Sequence, residues 1–117
     1  MIKMKPKVLL PSLKEKKRYI AFEVKAEKRI TEKEAKEHLK MAVKDYIGEL
    51  GLARAGLMFT NDWENSKGIA RVSNKETDNV KAAFATLREI NGQKAMVRSL
   101  RVSGVLAKAR KIIQEDD

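Results

Sequence analysis

A stripe of apolar residues at helical spacing is the feature that most constrains the fold of this chain. Between positions 35 and 50, apolar side chains recur where they fall on one side of an α-helix. Thr31 and Glu34 precede the stripe with the spacing of a capping box, and Gly51 follows it as a candidate terminator. The sequence therefore predicts a long helix with one face packed on a core.

Short segments with the alternation of β-strands surround this helix. Residues 17–25 place Ile20, Phe22 and Val24 on one side of a strand. Further strands are predicted at 52–60, 69–73 and 94–102, with a polar hairpin loop at 61–68 and a tight turn at 91–92. A second helix follows Ser73, which has the spacing of a capping box with Glu76, and a third follows Gly104.

The order of these segments predicts the fold class. Strand, helix, strand, strand, helix, strand and a last helix give an α+β protein, a ferredoxin-like or RRM-like α/β sandwich (βαββαβ) with a four-stranded antiparallel sheet. One face of the sheet lies under two helices, and the other is open or covered by the termini. Residues 1–15 contain Pro6 and Pro11 and are predicted as an extended arm, whereas 16–114 form a single domain.

Composition limits the possible functions. The 117 residues are 43% hydrophobic, enough for one domain with a single core. Cysteine is absent, which excludes disulfides and thiolate chemistry, and the single histidine, His38, argues against a metal cluster or a catalytic triad. No apolar run approaches the roughly 18–20 residues of a membrane span, and residues 1–7 are too polar for a signal peptide. We expect a cytoplasmic domain with neither membrane segment nor metal of its own.

The net charge of +10 is concentrated in the two ends of the chain. Residues 1–29 hold ten Lys/Arg against three Glu, whereas residues 30–90 hold ten of each sign. Residues 91–114 hold six Lys/Arg and no acid. Such asymmetry favours a polyanionic partner such as nucleic acid. A Lys/Glu-rich surface of the thermophile kind is the alternative explanation.

Single-strand binding in the manner of an RNA-recognition motif requires aromatic side chains on the two central strands. The segment "KGIARVSN" begins like that motif, but Ile69 and Arg71 stand where aromatic side chains are needed. Aromatic residues make up only 5% of the chain, and Tyr19 is left to stack alone. Because each stacked base adds about 1–3 kcal/mol, one ring does not sustain such binding. The sequence favours binding led by charge or by a protein partner.

Catalysis by this chain alone is not indicated. The acids at positions 32, 34 and 37 lead a helix, where negative charge suits the helix dipole. Asp62 and Glu64 lie in the predicted hairpin loop, and Arg29 lacks the glycine-rich anion loop of small acyl-phosphate hydrolases. We expect no catalytic residue and no metal ligand in this chain.

Three segments carry a resemblance to a known family. "LPSLKEKKRYIAFEV", "GIARV" and "LREINGQKAMVRSLRVSGVLAKARK" resemble the small RRM-like protein subunit of archaeal ribonuclease P, the protein component 2 family. The same family serves eukaryotic ribonuclease P and the related MRP particle. The likeness runs in order from about Leu10 to Lys111, and its most distinctive pieces are "KKRYI" and "INGQKAMVRSLRVSG".

The resemblance implies a function. It implies a subunit of the ribonucleoprotein endonuclease, a hydrolase, that removes 5′ leaders from precursor tRNA. In that enzyme the RNA performs the Mg²⁺-assisted cleavage, so no cofactor is expected in this chain. The implied partners are ribonuclease P RNA, precursor tRNA in the holoenzyme and a TIM-barrel-like protein subunit, with self-association giving a two-plus-two assembly.

The candidate RNA-binding residues are cations beside or within the predicted strands and on the last helix: Lys16, Lys17, Arg18, Arg71, Lys94, Arg98, Arg101, Lys108, Arg110 and Lys111. Phosphate neutralisation is the functional interpretation of each. The first three are alternatively charges that guard a sheet edge. The last three are alternatively a solvated helix face. Arg98 alternates in step with Met96 and Leu100, which predicts that it lies on the helix-covered side of the strand or at the rim of that side. Phosphate contact and internal ion pairing are both open for this residue.

Candidate contacts for a protein partner are apolar residues of the arm and of the open sheet face: Val8, Leu9, Leu10, Tyr19 and Ile69. An exposed apolar face on a small domain favours association. Folding of a terminal segment over that face is the competing explanation. Two other function classes stay open. One is a stand-alone or ribosome-associated RNA-binding module. The other is a small-ligand regulatory domain, a function that does not explain why the positive charge is concentrated at the two ends of the chain.

Overall fold

The computed structural model describes residues 16–115, which form one antiparallel sheet with helices on both faces. The elements are β1 (Lys17–Ala26), α1 (Glu32–Ala55), β2 (Met58–Glu64), β3 (Lys67–Ser73), α2 (Thr77–Thr86), β4 (Glu89–Ile90), β5 (Gln93–Ser103) and α3 (Leu106–Gln114). The strand order across the sheet is β2-β3-β1-β5-β4. The expected α+β class with an antiparallel sheet is confirmed. The expected strand count is wrong, because the two-residue β4 pairs with the start of β5 and makes a fifth strand.

β1 is the centre of the sheet and pairs with both β3 and β5. Its residues alternate as the sequence predicts, so Ile20, Phe22 and Val24 lie in the core beneath α1 and α2. Phe22 is fully buried and contacts the rings of Phe59, Trp63 and Phe84 at centroid distances of 5.5–6.4 Å. Edge-to-face packing of this kind adds stabilisation beyond the burial of apolar area.

The capping box at the start of α1 is confirmed. The Glu34 N–H donates to Thr31 Oγ1 at 3.2 Å, and the Thr31 N–H donates to Glu34 Oε1 at 3.1 Å. The backbone bond from Thr31 is the main reason that the pKa of Glu34 lies below its usual value, with smaller contributions from the Thr31 and Asn91 side chains. The carboxylate therefore stabilises the helix in its ionised form.

α1 ends later than the sequence predicts. The expected end near Gly51 is wrong: Gly48 has non-helical backbone angles (φ 80°, ψ 172°) that kink the helix, which then continues to Ala55. Gly56, in the left-handed region at φ 58°, is the C-terminal cap, and its N–H donates to the carbonyls of Leu52 and Ala53. Glycine adopts both conformations without a Cβ clash, so one residue bends the helix and another ends it.

The predicted bounds of the second strand are wrong for the same reason. Residues 52–55 belong to the extended helix, and the strand starts at Met58. Most of the predicted loop at 61–68 is strand, because the turn consists of Asn65 and Ser66, both with positive φ. The Ser66 carbonyl accepts a hydrogen bond from the Val24 N–H at 2.8 Å, which fixes the hairpin to β1.

Ser73 does not cap the second helix by a side-chain hydrogen bond. A short 3₁₀ turn, Asn74–Glu76, comes between it and α2, so the predicted capping box there is wrong. The helix packs on the core nonetheless, with Val80, Ala83 and Phe84 fully buried.

A β-bulge in β5 changes which residues face the helices. Phe22 pairs with Ser99 and Ala21 pairs with Arg101, so Leu100 is an extra residue without a partner. Before the bulge, Ala95 and Val97 lie in the core under α1 and α2, and after it Val102 packs against the same core. Leu100 packs against the cluster on the opposite face, so it does not share the side of Val102 although both have even numbers.

α3 packs on the opposite face of the sheet. Its residues Ala109 and Ile113 form a second cluster with Ala21 and Ile69, and all four are buried. The face left open by α1 and α2 is thus covered in part by the carboxyl-terminal helix, as the competing explanation in the sequence proposed.

Replacing Phe22 with alanine tests the central position of this ring. We expect Phe22→Ala to lower the free energy of unfolding by about 3–5 kcal/mol, since it leaves a cavity among three other rings. Urea unfolding followed by circular dichroism measures the change. Leu50→Ala is the matched control, because Leu50 is 77% exposed and its truncation should stay within about 0.5 kcal/mol. Equal losses in both variants contradict the packing described.

The capping box predicts an acid-sensitive contribution to stability. Because the folded-state pKa of Glu34 is lowered, its stabilisation is present above the ordinary pKa of glutamate and is lost as pH falls through the lowered value. Glu34→Gln keeps an acceptor for the Thr31 N–H but does not ionise, so its stability should fall less steeply with acid. Unfolding free energies from pH 7 to pH 3 test this, and parallel curves for the two proteins contradict it.

Candidate nucleic-acid interface

The first cationic cluster lies where β1 begins. The Lys16 carbonyl accepts a hydrogen bond from the Asn74 N–H at 2.8 Å, and Lys17 lies opposite Ser73 in β3. The guanidinium of Arg18 lies on Gly104, where an added Cβ would come within 2.7 Å of Nη1. The missing side chain at Gly104 thus lets Arg18 cover the junction between β5 and α3.

Arg71 and Arg101 lie near the same end of the sheet, on the face that α3 covers. Arg71 pairs with Tyr19 across β3 and β1, and Arg101 pairs with Ala21 across β5 and β1. The Arg71 Nε is buried without a hydrogen-bond partner, and its Nη1 has only a long contact of 3.9 Å to the Met58 sulfur. A half-buried guanidinium with no carboxylate to balance it is suited to an external anion.

We call this group, Lys16, Lys17, Arg18, Arg71 and Arg101, the β1 corner. Lys16 and Arg101 are exposed, and the other three side chains are half-buried. The register of β1 with β3 and β5 brings together residues that are more than 80 positions apart in the chain. The sequence predicts these residues individually, and the structure shows that they share one end of the sheet.

The three cations predicted on the last helix have different environments. Lys108 and Lys111 are exposed on α3. Arg110 Nε, by contrast, donates to Asp62 Oδ1 at 3.0 Å and links α3 to β2. The end of α3 is fixed by a second bond, from Lys67 Nζ to the Glu115 carbonyl at 2.7 Å. Arg110 therefore holds the helix in place, while Lys108 and Lys111 extend into solvent.

Arg98 and Lys94 lie towards the other end of the sheet. The expected position of Arg98 on the helix-covered side or its rim is wrong: it lies on the other face of β5, with 60% of its side chain exposed. Its Nη2 donates to Glu23 Oε1 at 3.1 Å, so ion pairing is the interaction that the structure shows. Lys94 is exposed and lies opposite Glu89 of β4.

The predicted partner contacts are only partly available. Ile69 is fully buried beneath α3 and presents no surface, which corrects the expectation of an open position. Tyr19 is half-buried and packs against the same cluster. Val8, Leu9 and Leu10, with the rest of the predicted arm, lie outside the described residues.

Three of the five acids considered in the sequence have side-chain partners. Glu32 pairs with Lys36, Glu34 belongs to the capping box and also accepts a hydrogen bond from the Asn91 side chain, and Asp62 pairs with Arg110. The ring nitrogens of His38 are shielded from solvent and have no hydrogen-bond partner among the described residues. Within residues 16–115 no group of three or more His, Asp or Glu side chains could hold a metal ion.

Two further cations near the sheet are not among the candidate RNA-binding residues predicted from the sequence. Lys25 and Arg88 line an open groove at the β4 end of the sheet, together with Lys94 and Met96. Each is an isolated charge in its own segment. Their proximity depends on the pairing of Lys25 with Met96 across β1 and β5, which no local pattern reveals.

The fold and these charges define a class of protein, a small basic α+β sandwich whose exposed cations lie on and around one sheet. Comparison with known proteins identifies the family. The chain matches the Rpp14/Pop5 family over residues 18–114 and belongs to that family. The resemblance drawn from its sequence motifs is thereby confirmed.

Curated relatives cover nearly the whole chain. "Ribonuclease P protein component 2" of Thermococcus kodakarensis is 39% identical over 108 residues, which is 92% of this chain and 90% of the relative. The protein of the same name from Methanosarcina mazei is 31% identical over 111 residues, which is 95% of this chain and 95% of the relative. A chain in the cryo-EM structure of yeast ribonuclease MRP has the same fold, with a TM-score of 0.63 at 15% identity over 85% of this chain and 86% of that one.

No helix between residues 16 and 115 has the length and apolar character needed to cross a membrane.

A double-mutant cycle tests whether Arg110 holds α3 on the sheet. We expect Arg110→Gln and Asp62→Asn each to destabilise the fold, and the pair to show a coupling of about 0.2–1 kcal/mol, because the bond is partly exposed. Urea unfolding at low and high salt measures the coupling. Lys108→Gln is the control, since it removes a charge from the same helix without touching this pair. Strict additivity of the two changes contradicts the structural assignment.

Proposed function

We propose that this chain is a protein subunit of ribonuclease P, the ribonucleoprotein that removes 5′ leaders from precursor tRNA. The observation that carries the proposal is family membership over residues 18–114, with relatives named as ribonuclease P protein components that match along 90% or more of their own length. The basic surface agrees with it, because a subunit of such a particle must meet an RNA backbone. The particle acts in the cytoplasm.

Within the particle, this chain binds RNA and leaves the cleavage chemistry to it. The RNA, with Mg²⁺, cleaves the substrate, and the protein neutralises phosphates and supports the catalytic part of the RNA. Two features support this division of roles. Glu32 and Asp62, two of the acids considered as catalytic pairs, form ion pairs with Lys36 and Arg110. The candidate RNA-binding residues Lys16, Arg101, Lys108 and Lys111 are exposed.

The β1 corner is the part of the surface best suited to contact RNA. Two of its three arginines are held by their surroundings, Arg18 on Gly104 and Arg71 against Met58, so less side-chain entropy is lost when these two bind. Lys108 and Lys111 extend the positive surface along α3. The ion pairs of Arg98 and Arg110 give these two residues a weaker role in RNA binding than the sequence assigns them.

Protein partners complete the proposal. We expect a TIM-barrel-like subunit of the same particle to bind this chain, and pairs of the two to associate through it. Burial of Ile69 under α3 removes that residue from the candidate partner surface. Tyr19 remains a candidate at the edge of the same cluster.

Reconstitution tests the function as a whole. The purified chain with Mg²⁺ should leave precursor tRNA intact, whereas the complete set of RNA and proteins should cleave it, and omission of this chain should lower the rate. Cleavage by the protein with no RNA present contradicts the proposal. Tight binding to many unrelated RNAs, with no effect on the reconstituted enzyme, favours a stand-alone RNA-binding module instead.

Charge reversal tests the proposed surface. We expect Glu substitutions at Lys17, Arg18, Lys108 and Lys111 to weaken binding to ribonuclease P RNA by at least about 100-fold at 0.15 M salt, and to lower the salt slope by up to about 3.6 if four phosphates are contacted. Filter binding across a salt series measures both quantities.

A matched variant controls for net charge. Glu substitutions at Lys33, Lys40, Lys44 and Arg54 of α1 change the charge equally at exposed positions. This variant should bind RNA more tightly than the first, and circular dichroism confirms that both fold. Equal affinity of the two variants contradicts the assignment of the β1 corner and α3.

A further inference from the structure

α3 covers only part of the open face of the sheet. Ala21, Ile69 and Leu100 lie beneath or beside the helix. Beyond the ion pair between Arg98 and Glu23, Lys25 and its cross-strand partner Met96 have no such cover. Met96 is 60% exposed on this part of the sheet.

An open groove of about 810 Å³, which we call the β5 groove, lies at this end of the sheet. This volume lies within the range of small-ligand sites, about 300–1,000 Å³. Its lining consists of Met96, the cations Lys25, Arg88 and Lys94, the acid Glu89, and the small residues Ala26, Gly92 and Ala95. Lys25, Lys94 and Met96 lie on the sheet face that α3 leaves uncovered, whereas Ala95 packs into the core on the other face. Three positive charges against one negative charge make it an anion-attracting site with an exposed apolar side chain, Met96.

The backbone fixes the positions of these charges. Lys25 lies opposite Met96 in β5, and Lys94 lies opposite Glu89 in β4. The Arg88 side chain is restrained because its Nη1 donates to the carbonyls of Ala85 at 2.5 Å and Leu87 at 3.3 Å. Restraint of the cations before a ligand arrives lowers the entropy lost on binding.

We propose that the β5 groove binds an unpaired nucleotide of an RNA strand, with its base against Met96 and its phosphates near Lys25, Arg88 and Lys94. The inference rests on the proposed function, because it assigns a second contact to the same RNA. A polarisable thioether packs well on an aromatic ring, and every base offers a π-face. An unpaired base is required because only an unstacked base can turn its face towards the floor of a groove.

RNA is favoured over an acidic segment of a protein. Phosphates recur along an RNA strand at every nucleotide, so cations around an apolar side chain can meet consecutive phosphates on either side of one base. An acidic peptide matches the charge equally well, but only a nucleic-acid strand supplies an aromatic base beside every phosphate for the exposed Met96. The named relatives are components of ribonuclease P, a ribonucleoprotein, which agrees with an RNA ligand.

The β5 groove is well separated from the β1 corner. Lys17 and Lys25 are eight residues apart in one strand, which corresponds to about 26 Å at about 3.3 Å per residue. One RNA-bound chain would therefore contact RNA at two points along the sheet, and the two contacts can be removed independently.

The test compares variants of the full chain in binding to ribonuclease P RNA over a range of salt concentrations. Lys25→Gln with Lys94→Gln should weaken binding about tenfold at 0.15 M salt and lower the salt slope by about 1.4, the value for two single-strand phosphate contacts. Lys33→Gln with Lys40→Gln, at exposed positions of α1, is the control and should leave the slope unchanged. All four lysines are exposed, so loss of the fold is not expected.

Met96 is tested separately from the cations. Met96→Ala should weaken binding about fivefold without changing the salt slope, and Met96→Leu should restore most of the affinity because it restores the apolar surface. A photo-cross-linker at position 96 should react with an unpaired nucleotide of the RNA. Cross-linking to a base-paired segment, or to an acidic stretch of a protein subunit, overturns the inference.

The two proposals fail in different ways. If the unaltered chain does not bind ribonuclease P RNA and does not affect the reconstituted enzyme, the proposed function is wrong. If the unaltered chain binds but the Lys25/Lys94 variant has the same affinity and salt slope, only the β5 groove is wrong. Loss of binding in the Lys33/Lys40 control to the same degree also overturns the groove, because it shows a general charge effect.

Discussion

Burial of β1 on both faces is the constraint on which the rest of this structure depends. Phe22 lies under α1 and α2, and its neighbour Ala21 lies under α3, so the strand must be covered from two sides. The two faces are unequal: aromatic rings fill the first, whereas alanine at positions 21 and 109 keeps the second thin. A thin second layer lets one short helix cover the middle of the sheet and leaves its ends accessible.

The cations on and around the sheet have different roles in this arrangement. Arg98 and Arg110 are bound to carboxylates, and Arg110 fixes α3 to the sheet. Arg71 has no ionic partner within residues 16–115 and lies half-buried near the start of α3. Exposed ion pairs contribute little stability in water, so their main effect here is to position the helix and remove two charges from the binding surface. The other exposed cations of the sheet lie near the two ends of β1, and further exposed cations lie on α1 and α3.

The sequence predicts the elements with strong local patterns and misses those decided by distant contacts. The stripe of α1, its capping box and the alternation of β1 are local patterns, and the capping box and the alternation are confirmed. The stripe is buried at Ala35, Leu39 and Val43, whereas Tyr46 and Leu50 are exposed. β2 is an edge strand with polar residues on its exposed side, so its sequence resembles a loop. Burial of Ile69 depends on α3 crossing the sheet, and the pairing of Arg98 with Glu23 joins residues 75 positions apart. Composition identifies the cations of the site, but only the register of the strands shows which of them lie together.

Leu100 determines how β5 can vary in length. Because of this one unpaired residue, Ala95 and Val97 on one side of it and Val102 on the other all reach the core under α1 and α2, despite their different parity. Deletion of Leu100 alone would leave these three residues facing that core, because it removes the bulge and restores regular alternation along the strand. β5 can therefore lose one residue at position 100 without turning any of them towards α3.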